Sequence, residues 1–133
     1  MTEARGRVYL AGPPYAEEYR RRAEALVREL GWEPVDPMRR DFRGQTQGHE
    51  AEIVDGDLRE IASCDAVLAA FTAPDEGTAM EAWYAHSLGK RVIAYTGNST
   101  IDDGVLRRLF AAIVHKPASP TLILSAVQEL ARG

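Results

Sequence analysis

The chain has 133 residues, 45% of them hydrophobic, with one Cys, three His, and 16 Lys and Arg against 20 Asp and Glu for a formal charge of −4. A length of roughly 100–200 residues closes around one core, so a single domain over 1–133 is expected, and the ordinary apolar fraction excludes wholesale disorder. The acidic balance argues against a binder of nucleic acid polymers; Cys64 alone builds neither a disulfide framework nor a Cys-based zinc cluster; and without a secretory pattern or an apolar run near 18 residues, a cytoplasmic domain with no membrane partner is expected.

Residues 7–11 read as a short buried strand, broken by Gly12, Pro13 and Pro14. A helix follows over about 16–30, with Ala23, Leu26, Val27 and Leu30 at helical spacing on one face. Its other face carries Glu17, Glu18, Arg20, Arg21, Arg22 and Arg28, which read as a solvated surface. Gly31 ends the helix. Residues 32–35 suggest a second strand, and 36–48 have no sustained period and read as a long loop, a feature usually functional or mobile in a small domain. A helix is expected over 49–62, with Ile53, Leu58 and Ile61 turned partly inward. The nearly continuous apolar run 65–71 fits a central parallel strand. A loop, a helix over about 78–88 ended by Gly89, and a strand at 91–95 come next. Turn residues fill 96–103, and beyond them a short helix near 105–111, an edge strand at 113–114 and a helix over about 121–131 are expected.

This alternation predicts a doubly wound α/β fold, with a parallel sheet of about five strands and helices on both faces. In such a sheet ligands bind beyond the carboxyl ends of the strands, here the loops 11–15, 72–78 and 96–103. Several chemistries are excluded. No G-x-x-x-x-G-K-S/T is present, and Ala11-Gly-Pro-Pro14 replaces G-x-G-x-x-G with prolines that lack the N–H a pyrophosphate needs. His49, His86 and His115 have no i,i+4 partners, so no metal site is expected. Cys64 reads as a small buried residue, and no G-x-S-x-G elbow is present.

The informative segment is Asp75-Glu-Gly-Thr-Ala-Met-Glu81, which joins a strand-end loop to a helix start. Gly77 allows unusual backbone angles and close ligand approach. Thr78-x-x-Glu81 also matches a capping box, a purely structural reading. Glu81 is nonetheless one of several acids at one edge, with Asp57 on the preceding helix and Asp75 on the loop, and like charges gathered in a pocket shift one another's pKa values. Paired carboxylates in different environments suit cleavage of a glycosidic bond, where one stabilises or attacks the anomeric carbon and another delivers a proton. A phenol hydrogen bond could hold such a nucleophile, and Tyr9 lies on the first strand; the alternative for Tyr9 is simple packing.

On Val8-Tyr-Leu-Ala-Gly-Pro13, Asp57-Leu-Arg-Glu-Ile61, Cys64-Asp-Ala-Val-Leu68, and Gly77-Thr-Ala-Met-Glu81 followed by Ala85 and Gly89-Lys90, the sequence resembles the nucleoside 2-deoxyribosyltransferase family over roughly residues 7–95. The resemblance implies a flavodoxin-like sheet, homo-oligomers built from dimers with shared active sites, no cofactor, and base exchange on a 2′-deoxynucleoside with a free nucleobase through a covalent deoxyribosyl-glutamate. By position it implies Glu81 as nucleophile, Tyr9 as the residue that orients it, and Asp57 and Asp75 as the pair that holds the base and handles its proton. Gly12, Pro13, Tyr15, Phe42, Gly77, Thr78 and Met80 are the expected substrate-binding positions.

Two departures stand out. Where family transferases carry an Asn-Leu-Met segment whose Asn reaches the sugar 5′-hydroxyl, this chain has Leu106-Arg-Arg-Leu-Phe110, whose arginines could instead meet a 5′-phosphate. The loop Arg39-Arg-Asp-Phe-Arg-Gly44 is also more basic than a neutral nucleoside requires. The leading expectation is a deoxyribosyltransferase. The first alternative is a 2′-deoxynucleoside 5′-monophosphate N-glycosidase, a subgroup in which a Ser tends to replace Asp75. The second is a non-catalytic nucleotide-binding module.

Overall fold

The protein is described by a computed structural model over residues 5–12, 17–39, 48–70 and 75–95. In chain order these form β1 (Arg7–Ala11), α1 (Glu17–Glu29), β2 (Glu33–Val35), a 3-10 turn (Pro37–Arg39), α2 (Glu50–Ser63), β3 (Ala66–Ala70), α3 (Glu76–Ser87) and β4 (Arg91–Tyr95). The expected elements at 105–111, 113–114 and 121–131, and with them the fifth strand, lie outside the described residues.

The four strands form one parallel sheet in the order β2-β1-β3-β4, with Tyr9 opposite Val35 and Val67, and Leu68 opposite Leu10 and Ile93. The chain moves outward one way from β1 to β2 and the other way from β3 to β4. Crossovers of one hand then place α1 on one face and α3 on the other, and the order reverses between β1 and β3. This is the flavodoxin-like, doubly wound arrangement. β3, apolar throughout, is buried at all five positions between two neighbours. β2 ends the described sheet, which suits Pro34, a residue without an N–H to donate.

The period of two in the strands sorts the core into two layers. Val8, Leu10, Ala66, Leu68, Ala70 and Ile93 meet Ala23 and Val27 of α1. Tyr9, Ala11, Val35, Val67, Ala69, Val92 and Ala94 meet Ile61 of α2 and Ala82 and Ala85 of α3. Cys64 is buried in the second layer, and its thiol is pushed up chiefly by that burial, which suits an inert packing residue.

One expectation for α1 is corrected. Glu18, Arg21, Arg22 and Arg28 are exposed, but Arg20 is only 2% exposed. It stands three and seven residues before Ala23 and Val27, so the helical period carries it onto the inward stripe.

Both helix-ending glycines act as expected. Gly31 has φ +85° and Gly89 has φ +76°. At the first, Trp32 N donates to Val27 O (3.1 Å) and Gly31 N to Arg28 O (3.0 Å); at the second, Lys90 N donates to Ala85 O (3.0 Å) and Gly89 N to His86 O (2.9 Å). These are Schellman closures, which satisfy the last carbonyls of each helix. A Cβ at Gly89 would meet nothing within 4 Å, so any cost of substitution there is conformational. Gly89→Ala is expected to destabilise the protein by about 1 kcal/mol in denaturant unfolding, with an unchanged m-value. A neutral result would mean that the left-handed turn is not held in solution.

Candidate active site

Tyr9 lies mid-strand in β1 with no exposed surface. Alternation along the strand places its ring on the α2/α3 face. A phenol hydroxyl in such a layer must find a partner or forfeit its hydration. It donates to Glu81 Oε2, which joins the second layer of the core to α3. Tyr9 is therefore more than a packing aromatic.

The start of α3 decides where Glu81 stands. The expected capping box is corrected: the N-cap is Asp75, and the helix begins at Glu76. Asp75 Oδ2 accepts from Thr78 N (2.9 Å) and from Thr78 Oγ1 (2.5 Å). Asp is a stronger cap than Thr, and one carboxylate oxygen can accept both donors, so Thr78 becomes a capped residue within the first turn. Ala79 N then donates to Asp75 O (3.2 Å) as the first helical bond. Glu81 lies deeper in the helix, where no orphan N–H needs it, and its side chain is turned to Tyr9. The argument from unusual backbone angles at Gly77 is also corrected. Its φ is not positive, and a Cβ there would make only ordinary contact with Asp75 Oδ2 at 3.6 Å.

The electrostatics single out Glu81. Burial pushes its carboxyl up from an ordinary 4.5 to about 7; the Tyr9 hydrogen bond opposes this, the Asp57 and Asp75 charges add to it, and Arg20 lowers it again. The Tyr9 phenol is held far above its ordinary 10, first by burial and then by the charges of Glu81 and Asp57, so it remains a donor. A carboxyl poised near neutrality beside a permanent donor can serve as a nucleophile towards an electron-poor carbon, or as a general acid or base.

The other expected residues divide into three groups. Asp57 on α2 and Asp75 are half-buried and close enough to Glu81 to act on its charge. Gly12 directly follows β1, Thr78 is buried within the cap, and Gly77 and Met80 are exposed, Met80 at 71%. Pro13, Tyr15 and Phe42 lie outside the described residues, as do Arg107 and Arg108. Arg20 was not singled out in the sequence. Its Nη1 donates to Gly12 O (3.3 Å), and its Nε lies 3.5 Å from Asp36 Oδ1. The available signal was its register with Ala23 and Val27. Among the described residues, no group of three or more His, Cys, Asp or Glu side chains is placed to hold a metal ion, and no helix is long and apolar enough to cross a membrane.

The fold is thus a flavodoxin-like α/β sheet in which a Tyr–Glu hydrogen bond joins the first strand to α3, and comparison with known proteins places it in a family. The family model described as nucleoside 2-deoxyribosyltransferase matches residues 8–107. The chain belongs to that family, whose members act on N-glycosidic bonds. Among solved structures, it resembles a 2-deoxyribosyltransferase from the psychrotolerant bacterium Bacillus psychrosaccharolyticus, with TM-score 0.68 and 23% identity over 85% of each chain. It also resembles a CMP N-glycosidase from Clostridium botulinum, with TM-score 0.65 and 22% identity over 93% of this chain and 97% of that one. A conserved protein from Enterococcus faecalis V583 gives TM-score 0.57 and 18% identity over 97% and 88%. No curated protein sequence matches significantly. Transferase and glycosidase thus share this fold.

The raised Glu81 carboxyl carries a stability consequence. Between about pH 4.5 and 7 the folded chain holds a proton that the unfolded chain has released. Stability therefore falls as pH rises through that window, and the cost is complete above it. Glu81→Gln, which keeps an acceptor for Tyr9, is expected to be more stable than the parent at pH 8 by on the order of 1–3 kcal/mol, and nearly equal to it at pH 4. Urea unfolding at both pH values checks this; a difference independent of pH would place Glu81 in water.

Proposed function

We propose that this protein transfers the 2-deoxyribosyl group of a 2′-deoxynucleoside between nucleobases, with Glu81 as nucleophile. The observation that carries this reading is the buried Tyr9–Glu81 hydrogen bond, with Asp57 and Asp75 acting on the same carboxylate. A Glu81 oxygen attacks C1′, the bond from C1′ to the base nitrogen breaks, and its electrons leave with the base. Asp57 and Asp75 hold the base, and one of them, in its acid form, protonates the departing nitrogen. An acceptor base then attacks C1′, Glu81 departs as carboxylate, and the acceptor's proton returns to the acid pair. Tyr9 fixes the Glu81 rotamer and eases its ionisation. Asp75 is already immobilised by its bonds to Thr78, which leaves little ordering cost on binding.

Gly12, Pro13, Tyr15, Phe42, Gly77, Thr78 and Met80 remain the substrate-binding positions that the family resemblance implies, and no cofactor takes part in this reading. The acids around Glu81 favour a neutral nucleoside over a 5′-monophosphate, since Asp75 would repel a phosphate. The decisive measurement is chromatography of deoxyinosine or thymidine incubated with adenine, in parallel with deoxynucleoside monophosphates. Base exchange that depends on the acceptor is expected. Free base from monophosphates alone would instead identify a glycosidase, and neither product would leave only a binding module. Glu81→Gln is expected to lower kcat by ~10³-fold or more. Tyr9→Phe should lower it about 10–100-fold and move the acid limb of the rate to higher pH.

A homo-oligomer belongs to the same proposal. Met80 and Trp83 flank Glu81 on α3 and are 71% and 56% exposed, a pairing of large apolar side chains that suits a covering subunit. Sedimentation velocity should give a species heavier than the 14.7 kDa chain. Trp83→Glu should shift it towards the monomer, and a monomeric parent would remove this part of the reading.

A further inference from the structure

Arg20 is a residue whose position the family resemblance did not assign. α1 carries three other arginines, Arg21, Arg22 and Arg28, all exposed. Arg28 pairs with Glu24 at 2.9 Å in an ordinary surface i,i+4 bridge. Arg20 is instead 2% exposed, and its guanidinium joins two strand ends. Nη1 donates to the carbonyl of Gly12 just beyond β1, at 3.3 Å. Nε lies 3.5 Å from Oδ1 of Asp36 just beyond β2. Asp36 Oδ1 also accepts from Met38 N at 2.9 Å, so this carboxylate anchors the turn as well.

A buried cation is costly unless it is paired and hydrogen-bonded, and a hydrophobic residue of similar volume would often serve stability as well. Its location suggests a use: these are the carboxyl ends of adjacent strands, where ligands bind in such sheets. The guanidinium holds the carbonyl just beyond β1, and its charge acts on Glu81, which is bonded to Tyr9 on the other face of that strand.

We propose that Arg20 is a positioning residue of the active site, which fixes the end of β1 at Gly12 and supplies a buried positive charge within electrostatic reach of Glu81. The inference rests on the reading of Glu81 as nucleophile. The groups bearing on that carboxylate are Tyr9 from β1, Asp57 from α2, Asp75 from the start of α3, and Arg20 from α1; Glu60 of α2 bears on Tyr9. Burial, Asp57 and Asp75 favour the protonated acid. Tyr9 and Arg20 favour the carboxylate, and an unprotonated carboxylate is what attacks. Arg is the suitable residue for this place because it stays charged where a buried Lys would lose its proton more readily. It also divides its donors between a carbonyl and a carboxylate while remaining a full charge.

The test reads Glu81 directly, by NMR titration of carboxyl-labelled glutamate assigned through Glu81→Gln. It therefore does not depend on turnover, and absence of base exchange in the parent would sink the function without touching this result. Arg20→Met removes the charge and keeps most of the volume. It is expected to raise the Glu81 midpoint by about 0.5–1 pH unit. Arg20→Lys is expected to hold the midpoint near the parent value, which a merely space-filling role would not produce. Because Arg20→Met leaves Asp36 without this partner, Arg20→Gln, which also removes the charge but keeps a donor for Asp36, carries the same measurement if the Met variant does not fold. An unchanged midpoint in the folded charge-removal variant overturns the proposal.

Discussion

The structure turns on one hydrogen bond between two groups that have little reason to be buried. A phenol without exposed surface must donate, and a carboxylate in an apolar layer must be met by a donor. Tyr9 and Glu81 solve each other's problem. The solution constrains much else. β1 must run in the middle of the sheet so that Tyr9 faces α2 and α3, and the alternation Val8-Tyr9-Leu10 must keep its register, since a slip of one residue would turn the phenol towards α1. α3 must start at a fixed point so that Glu81 comes round to β1 rather than to solvent.

That fixed point is set by Asp75. Its carboxylate binds both the backbone and the hydroxyl of Thr78, so the first turn of α3 has little freedom to shift. The same residue presses its charge on Glu81. One side chain thereby sets both the angular position of the glutamate and part of its proton affinity. Structural and functional readings of the Asp75–Glu81 segment were posed as rivals in the sequence. They are answered by different residues, with the cap at Asp75 and the buried carboxylate at Glu81.

The sheet and its central strand were legible because the signals are local. A continuous apolar run marked β3, a short apolar run broken by Gly12 and two prolines marked β1, and Gly31 and Gly89 marked the helix ends. The acids were legible as a set because each falls at a strand end or on the adjoining helix. Three features were not. The capping box at Thr78 and Glu81 is a sound pattern, but it competes with a better cap three residues upstream, and only the backbone geometry decides between them. Gly77 was read for a conformational freedom that a helical first turn never uses. Arg20 was read with its charged neighbours, although its register with Ala23 and Val27 placed it inside. Charge identity outweighed periodicity in that reading, and periodicity was the better guide. The pairing of Tyr9 with Glu81, by contrast, was anticipated through the family resemblance, although it spans 72 positions in sequence and is set by tertiary packing.

The remaining question is why the glutamate should be buried at all. In water a carboxylate is fully ionised at neutral pH but well hydrated, and it must shed that hydration before it can attack. Deep in an apolar layer it would shed the water but also its charge. Here burial and two neighbouring acids push the carboxyl up, while a phenol donor and a buried arginine pull it back, and the balance comes to rest near 7. The group is then partly removed from water and held by the Tyr9 hydrogen bond. Each influence comes from a different element: Tyr9 from β1, Arg20 from α1, Asp57 from α2 and Asp75 from the start of α3. A site balanced in this way needs the sheet and its flanking helices in register at once, which a single-layer arrangement could not provide. The acids that unsettle Glu81 are also part of the chain's net negative charge, so that charge has a local consequence at one buried tyrosine and its partner.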